Sequence, residues 1–300
     1  MKTIAFVGLG AMGRPMARNL LKAGFAVRGA DVNPAGLADL EAAGGTPCGS
    51  AKEAFQGADA IVLMVVNARQ AEAVLFDDDA LSAAPADAIV CLMATCPPGQ
   101  VGAIAGRVAA SGRRFVDSPV SGGVVGATAA SLTIMAAAPA DVFAAARPLL
   151  EAMGSRTLHV GTEPGQGATV KTVNQLLCGV HIAVAAEALA LAETIGVDTT
   201  VMLDILTGTS AGSWMLKDRG PRMLEDEPVV TSAVDIFVKD LDLVLQAGRE
   251  SKAALPFAAL AYQLFSSSSG RGEGSLDDSQ VIRAYRLLNG TRNPAPPSSS

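Results

Sequence analysis

The chain has 300 residues, a length that suits two domains or one large one. Hydrophobic residues make up 50% of it, while only 17% are charged and 4% aromatic, so an aliphatic, alanine-rich core is expected. A net charge of −6, with no basic run, argues against binding a nucleic-acid backbone.

The first strand, residues 2–7, runs into Gly8-Leu9-Gly10-Ala11-Met12-Gly13 and then a helical stretch over 14–23. Strand, G-x-G-x-x-G turn and helix in that order form the dinucleotide-binding arrangement. Gly8 permits the tight turn, Gly10 lets a pyrophosphate approach the backbone, and Gly13 lets the helix pack close to the strand. Ala11 and Met12 complete the loop, and the helix N-terminus offers N–H groups and partial positive charge to the phosphates. A second strand, 26–30, ends at Asp31, placed to hydrogen-bond a ribose 2′-hydroxyl. Val32 follows, with no adjacent arginine for a 2′-phosphate, so NAD is favoured over NADP. The competing reading of Asp31 is a strand-end cap for the helix starting at Asn33-Pro34.

Further apolar runs at 60–66, 88–93, 114–117, 132–135 and 157–160 alternate with helical stretches. Such runs indicate a mostly parallel sheet covered on both faces, with ligands beyond the strands' carboxyl ends. After residues 161–167 the strand signals stop. A long helix is expected over 168–195, then helices near 199–206, 233–252, 256–265 and 277–288, with a polar, exposed loop over 266–274. The expected fold is therefore α/β. A Rossmann dinucleotide-binding domain (1–164) precedes an all-α domain (165–290) joined through the long helix, and a proline- and serine-rich disordered tail (291–300) ends the chain.

The most apolar stretch, 176–192, is interrupted by His181 and Glu187 and reads as a buried helix rather than a membrane span. Cys48, Cys91, Cys96 and Cys178 lack CxxC spacing and suit a reducing compartment. With a first strand beginning at once and no signal peptide expected, the location is read as cytoplasmic. The surplus of small apolar residues suits subunit packing, so a homo-oligomer, dimer or tetramer, is expected.

Two further clusters carry chemistry. Asp117-Ser118-Pro119-Val120-Ser121-Gly122-Gly123 ends a strand in a hydroxyl and two glycines, a donor set suited to a small anion such as a substrate carboxylate. The plainer reading is a turn that merely reverses the chain. Gly165-Gln166-Gly167 then precedes Lys171, with Asn174, Gln175 and Cys178 three, four and seven residues further along the same helix face. A lysine in the first turns of an apolar helix is electrostatically misplaced and can shuttle a proton; the plainer reading, a solvated lysine at a helix start, yields only to the company that Lys171 keeps.

Together these clusters resemble the β-hydroxyacid dehydrogenase family, over the chain from Lys2 to about Asn289. The resemblance implies that Gly8, Gly10 and Gly13 hold NAD(P), that Ser121, Gly122 and Gly123 hold the substrate carboxylate, and that Lys171 is the catalytic residue. It also implies that Lys239, in Phe237-Val238-Lys239-Asp240-Leu241, lies beside the cofactor. Val65, Val66 and Thr95 should line the nicotinamide side, with the active site in the cleft between the domains. Taken alone, Lys239 would be an ion-pair partner for Asp240 or Asp242. Ala94-Thr95 departs from the family's Ser-Thr, and either Asn174 or Gln175 is the amide partner of the lysine.

Within the family, residues 176–183, 212–215 and 232–240 are similar to members acting on L-threonate. The implied reaction is NAD-dependent oxidation of that acid to its 2-oxo acid, with no metal required. His181 and Ser213 are candidate partners for the extra hydroxyls, near Trp214, against a plainer reading of His181 and Trp214 as core packing. Alternatives are 3-hydroxyisobutyrate or tartronate semialdehyde as substrate, a non-catalytic dinucleotide sensor, and an imine reductase, which usually lacks the lysine.

Overall fold

The computed structural model describes residues 1–291 and divides into two compact units, Met1–Thr172 and Val173–Ser300. Of the tail expected over 291–300, residues 292–300 lie outside the described residues.

In the first unit the chain alternates strand and helix. The strands are β1 (Thr3–Val7), β2 (Ala26–Ala30), β3 (Thr46–Pro47), β4 (Ala60–Leu63), β5 (Ile89–Leu92), β6 (Arg114–Asp117), β7 (Val120–Ser121), β8 (Thr133–Ala137) and β9 (Arg156–Gly161). Between them run α1 (Gly13–Lys22), α2 (Pro34–Ala42), α3 (Ala51–Phe55), α4 (Ala68–Phe76), α5 (Pro98–Ala110), α6 (Gly123–Thr128) and α7 (Ala140–Glu151). The order β3-β2-β1-β4-β5-β6 is parallel throughout. It reverses direction at β1, so a crevice opens between the carboxyl ends of β1 and β4.

Beyond β6 the sheet changes character: β8 pairs antiparallel with β6 and β7, and β9 pairs parallel with β8. The central strands β4 and β5 are buried at every position, which is why they read as unbroken apolar runs. Two apolar layers cover the faces, one around Phe55, Leu63, Leu75 and Ile104, the other around Phe6, Leu9, Met16 and Leu149.

The long helix α8 (Gln166–Thr194) leaves the first unit and enters the second, where α9 (Thr199–Gly208), α10 (Trp214–Met223), α11 (Val234–Ser251), α12 (Pro256–Ser268) and α13 (Ile282–Leu288) follow. By length and composition alone α8 could cross a membrane. Within the second unit, however, Glu193 is bonded to Arg286 of α13 and Glu187 to the Tyr285 hydroxyl, so α8 serves as a packing helix there.

Two expectations are corrected. Residues 266–274 are not a plain exposed loop: α12 continues to Ser268, which is fully buried, and a wide helical turn (Ser269–Glu273) follows. Arg271 holds that turn by bonding Ser267, Ser268 and Glu273. The helix expected over 277–288 is a 3-10 turn (Asp278–Val281) leading into α13.

Candidate active site

At the β1–α1 junction, the glycines differ in what they permit. Gly8 has φ +97°, and a Cβ there would stand 2.4 Å from the Met64 carbonyl oxygen. A Cβ on Gly13 would stand 1.8 Å from the Gly8 carbonyl oxygen, so only glycine lets α1 start so close to its own turn. Around Gly10 there is nothing within 4 Å of that position. No side chain caps α1, because Met12 at its N-cap makes no such bond. Open space beside Gly10 and an uncapped helix start fit the pyrophosphate of a dinucleotide.

At the end of β2, the Asp31 carboxylate accepts the N–H of Leu9 in the glycine loop and, at 2.6 Å, that of Asn33. The acidic group is therefore fixed by the loop itself and oriented at the carboxyl end of β2. Val32 is fully exposed and brings no charge. These features fit NAD. Val65 and Val66 follow β4, and the Val66 N–H donates to Gln70 Oε1 at 2.9 Å. Thr95 follows β5 and is half-buried.

The Asp117–Gly123 segment closes the end of β6. Ser121 pairs with Thr133 across β7 and β8, and the chain then turns through Gly122 (φ +129°) and Gly123 (φ +59°), conformations that L side chains rarely adopt. Asp117 is only 1% exposed. Its Oδ2 accepts the N–H groups of Gly165 and Ala168, both at 2.9 Å, at the start of α8. Burial pushes its carboxyl up to about 6, against the opposing N–H groups of Ala168, Gly165 and Gly167. The G-x-G before the lysine makes this approach possible. A Cβ on Gly167 would lie 2.6 Å from the Met135 carbonyl and 2.8 Å from that of Asp117. Lys171, one turn further, is buried at 6% exposure.

In the second unit, Gln175 is buried and donates through Nε2 to Asp240 Oδ2 of α11 at 2.5 Å. Asn174, half-buried, donates to Gln175 Oε1 at 2.9 Å and to Cys178 Sγ at 3.3 Å. Lys239 pairs with Asp240 Oδ1 at 2.6 Å, so the ion pair read from sequence alone exists in the fold. Asp240, 65 residues from Gln175, is expected from sequence only as a partner of Lys239, and its bond to Gln175 is not foreseen there. His181 is half-buried, whereas Trp214 is 53% exposed, so the tryptophan is not core packing. Ser213 caps α10, its hydroxyl accepting the Leu216 N–H at 3.0 Å.

Comparison with known proteins agrees with this geometry. Residues 3–161 match the NAD binding domain of 6-phosphogluconate dehydrogenase, and residues 165–285 match the NAD-binding family of NADP-dependent 3-hydroxyisobutyrate dehydrogenase. The chain is 42% identical to L-threonate dehydrogenase of Cupriavidus necator over 95% of this chain and 96% of that protein. It is 39% identical to L-threonate dehydrogenase of Escherichia coli O6:H1, over 94% of each. The crystal structure of 3-hydroxyisobutyrate dehydrogenase from Salmonella typhimurium superposes with a TM-score of 0.90 at 39% identity, covering 94% of this chain and 99% of that one. On matches that run through both units, this chain belongs to the β-hydroxyacid dehydrogenase family.

Proposed function

We propose that the protein is an NAD-dependent dehydrogenase that oxidises L-threonate to its 2-oxo acid, with Lys171 as the general acid/base. The observation that supports this most is the joint placement, within the first unit, of the open Gly10 position, the Asp31 carboxylate held by Leu9 N–H, and a buried lysine. NAD, when bound, supplies the hydride acceptor. The chain's own residues do the rest. Asp31 binds the ribose, and Val65, Val66, Thr95 and Lys239 border the cofactor. Ser121, Gly122 and Gly123 take the substrate carboxylate through a hydroxyl and backbone N–H groups. Lys171 Nζ receives the proton of the hydroxyl being oxidised, and its burial excludes water from that transfer.

The burial difference between the two amides supports a division of labour. Half-buried Asn174 orients the substrate hydroxyl, and Gln175, held by Asp240, holds Asn174. The identities with the two L-threonate dehydrogenases support that acid over 3-hydroxyisobutyrate or tartronate semialdehyde. A buried lysine in this position speaks against a purely sensing role.

A homo-oligomer in the cytoplasm completes the reading. Val173, Leu177, Val184 and Leu191 stand exposed on α8 at spacings of four and seven residues, apolar positions along the second unit of the kind that a subunit contact covers. Light scattering during size-exclusion chromatography tests the oligomer, and a monomer would refute it. Lys171→Ala tests the chemistry: turnover is expected to fall at least about a thousandfold with NAD binding retained, and an active variant would refute the assignment.

A further inference from the structure

Leu9, in the glycine loop, is held at both ends of its backbone. Its N–H goes to the Asp31 carboxylate, and its carbonyl oxygen accepts Arg14 Nε at 3.1 Å. Two hydrogen bonds and one residue therefore separate the carboxylate from the guanidinium, a span of at most roughly 9 Å. In the sequence Asp31 is followed by Val32 and no arginine. The fold brings one to it from α1.

The neighbours of Arg14 fix the side of the loop on which it lies. Arg14 is half-buried in the first turn of α1, with Arg18 one turn further on the same face. Arg18 pairs with Asp39 of α2, so this face of α1 looks towards α2. The Leu9 carbonyl lies there too, since a Cβ on Gly36, in the first turn of α2, would stand 2.7 Å from its oxygen. Arg14 thus borders the side bounded by Asp31 and the start of α2, where the adenosine ribose is assigned.

An acid at the end of β2 accepts the ribose 2′-hydroxyl of NAD and repels the 2′-phosphate of NADP, whereas an arginine binds that phosphate with its planar fork. A cation in the first turn of a helix is unfavourable until an anion stands beside it. Among the described residues Arg14 is bonded through Nε, which leaves its two terminal nitrogens to an outside acceptor. We infer that Arg14 is a second specificity-determining residue of the cofactor site: its guanidinium takes the 2′-phosphate of NADP, and Asp31 keeps that capacity latent. The inference rests on the assignment of Asp31 to the ribose.

Binding tests it without turnover. Dissociation constants of NAD and NADP are measured by calorimetry on the full-length native protein, Asp31→Asn, Arg14→Ala and the double variant. Asp31→Asn should tighten NADP at least about tenfold, because a like charge is removed. Adding Arg14→Ala should reverse that gain, while Arg14→Ala alone changes NAD binding less than about twofold. A gain that persists without Arg14 would overturn the inference. Equal losses for both dinucleotides in Arg14→Ala would also overturn it, by placing the arginine at the shared pyrophosphate or in the packing of α1. Should Asp31→Asn fail to fold, the native protein and Arg14→Ala are compared with adenosine 5′-phosphate and adenosine 2′,5′-bisphosphate, which differ only in the 2′-phosphate. Arg14→Ala should weaken the bisphosphate at least about fivefold and leave the monophosphate unchanged. Equal effects on both, or no binding of the bisphosphate, would overturn the inference. If the contrasts appear in a protein that turns over no hydroxy acid, the dehydrogenase reading fails and the assignment of Arg14 stands.

Discussion

Asn19 of α1 donates through Nδ2 to the carbonyl oxygen of Ala127 at 2.7 Å, across 108 residues of sequence. The bond ties the helix that begins at the cofactor loop to the short helix that begins at the Ser121-Gly122-Gly123 turn. α6 has only six residues, so its last carbonyls lack partners within the helix, and a buried side chain supplies one. Asn19→Ala would leave that carbonyl unpaired at a cost of about 1–3 kcal/mol. The expected outcome is a higher KM for the hydroxy acid with a nearly unchanged KM for NAD, read from initial rates. Equal changes in both would show that α1 itself had moved.

Gly13 and Gly10 of the loop should separate stability from binding. Gly13→Ala places a Cβ 1.8 Å from the Gly8 carbonyl oxygen, so the loop must deform and the melting temperature of the unliganded protein should fall. Gly10→Ala meets nothing within 4 Å, so that protein should melt like the parent while its NAD affinity drops at least about tenfold, an effect of about 1.4 kcal/mol. Thermal melts with and without NAD check both. A parent-like affinity in Gly10→Ala would mean that the pyrophosphate does not pass there.

Asp240 holds two side chains at once, Gln175 at 2.5 Å and Lys239 at 2.6 Å. It is 2% exposed, so its loss strands a buried amide. Asp240→Ala should cost about 2–4 kcal/mol of stability and lower kcat/KM for the acid by at least about tenfold through Asn174, an effect of about 1.4 kcal/mol. Asn174→Ala should reproduce the kinetic loss without the stability loss. Denaturant unfolding beside steady-state kinetics makes the distinction.

Stability should also carry the mark of Asp117. Its folded carboxyl stands near 6, above the ordinary value of 3.8, so the folded protein takes up this proton before the unfolded one does. The contribution is therefore unfavourable at neutral pH and is relieved as pH falls from about 6.5 towards 4, by about 3 kcal/mol in all. Asp117→Asn should remove that pH-dependent component. The check is the difference between the two proteins' unfolding free energies at pH 7 and pH 4.5. A difference that does not change with pH would contradict the burial argument.

What the sequence revealed was local in origin. The glycine loop, Asp31 one strand later and the G-x-G before Lys171 are each a few residues with one backbone requirement, and those requirements appear as glycines. The missed elements depend on distant partners. α10, with Gly220 and Pro221 inside it, gives no helical pattern. It is held by Arg219 on Asp278 at 2.9 Å and Arg222 on Asp277 at 3.1 Å, from 55 or more residues away. The serine- and glycine-rich stretch after Phe265 reads as a loop because its ordering comes from the Arg271 bonds. The choice between Asn174 and Gln175 stayed open for the same reason, since Asp240 lies on another helix. Two-residue strands such as β3 and β7 are too short to show a period.

The most direct test of the central claim is the initial rate of NADH formation by the native enzyme with NAD and L-threonate, measured beside 3-hydroxyisobutyrate and D-glycerate and repeated with Lys171→Ala. L-threonate should give the highest kcat/KM, and the variant should be silent with every acid while still binding NAD. A higher kcat/KM for another acid would contradict the substrate assignment. Turnover by the alanine variant would contradict the mechanism.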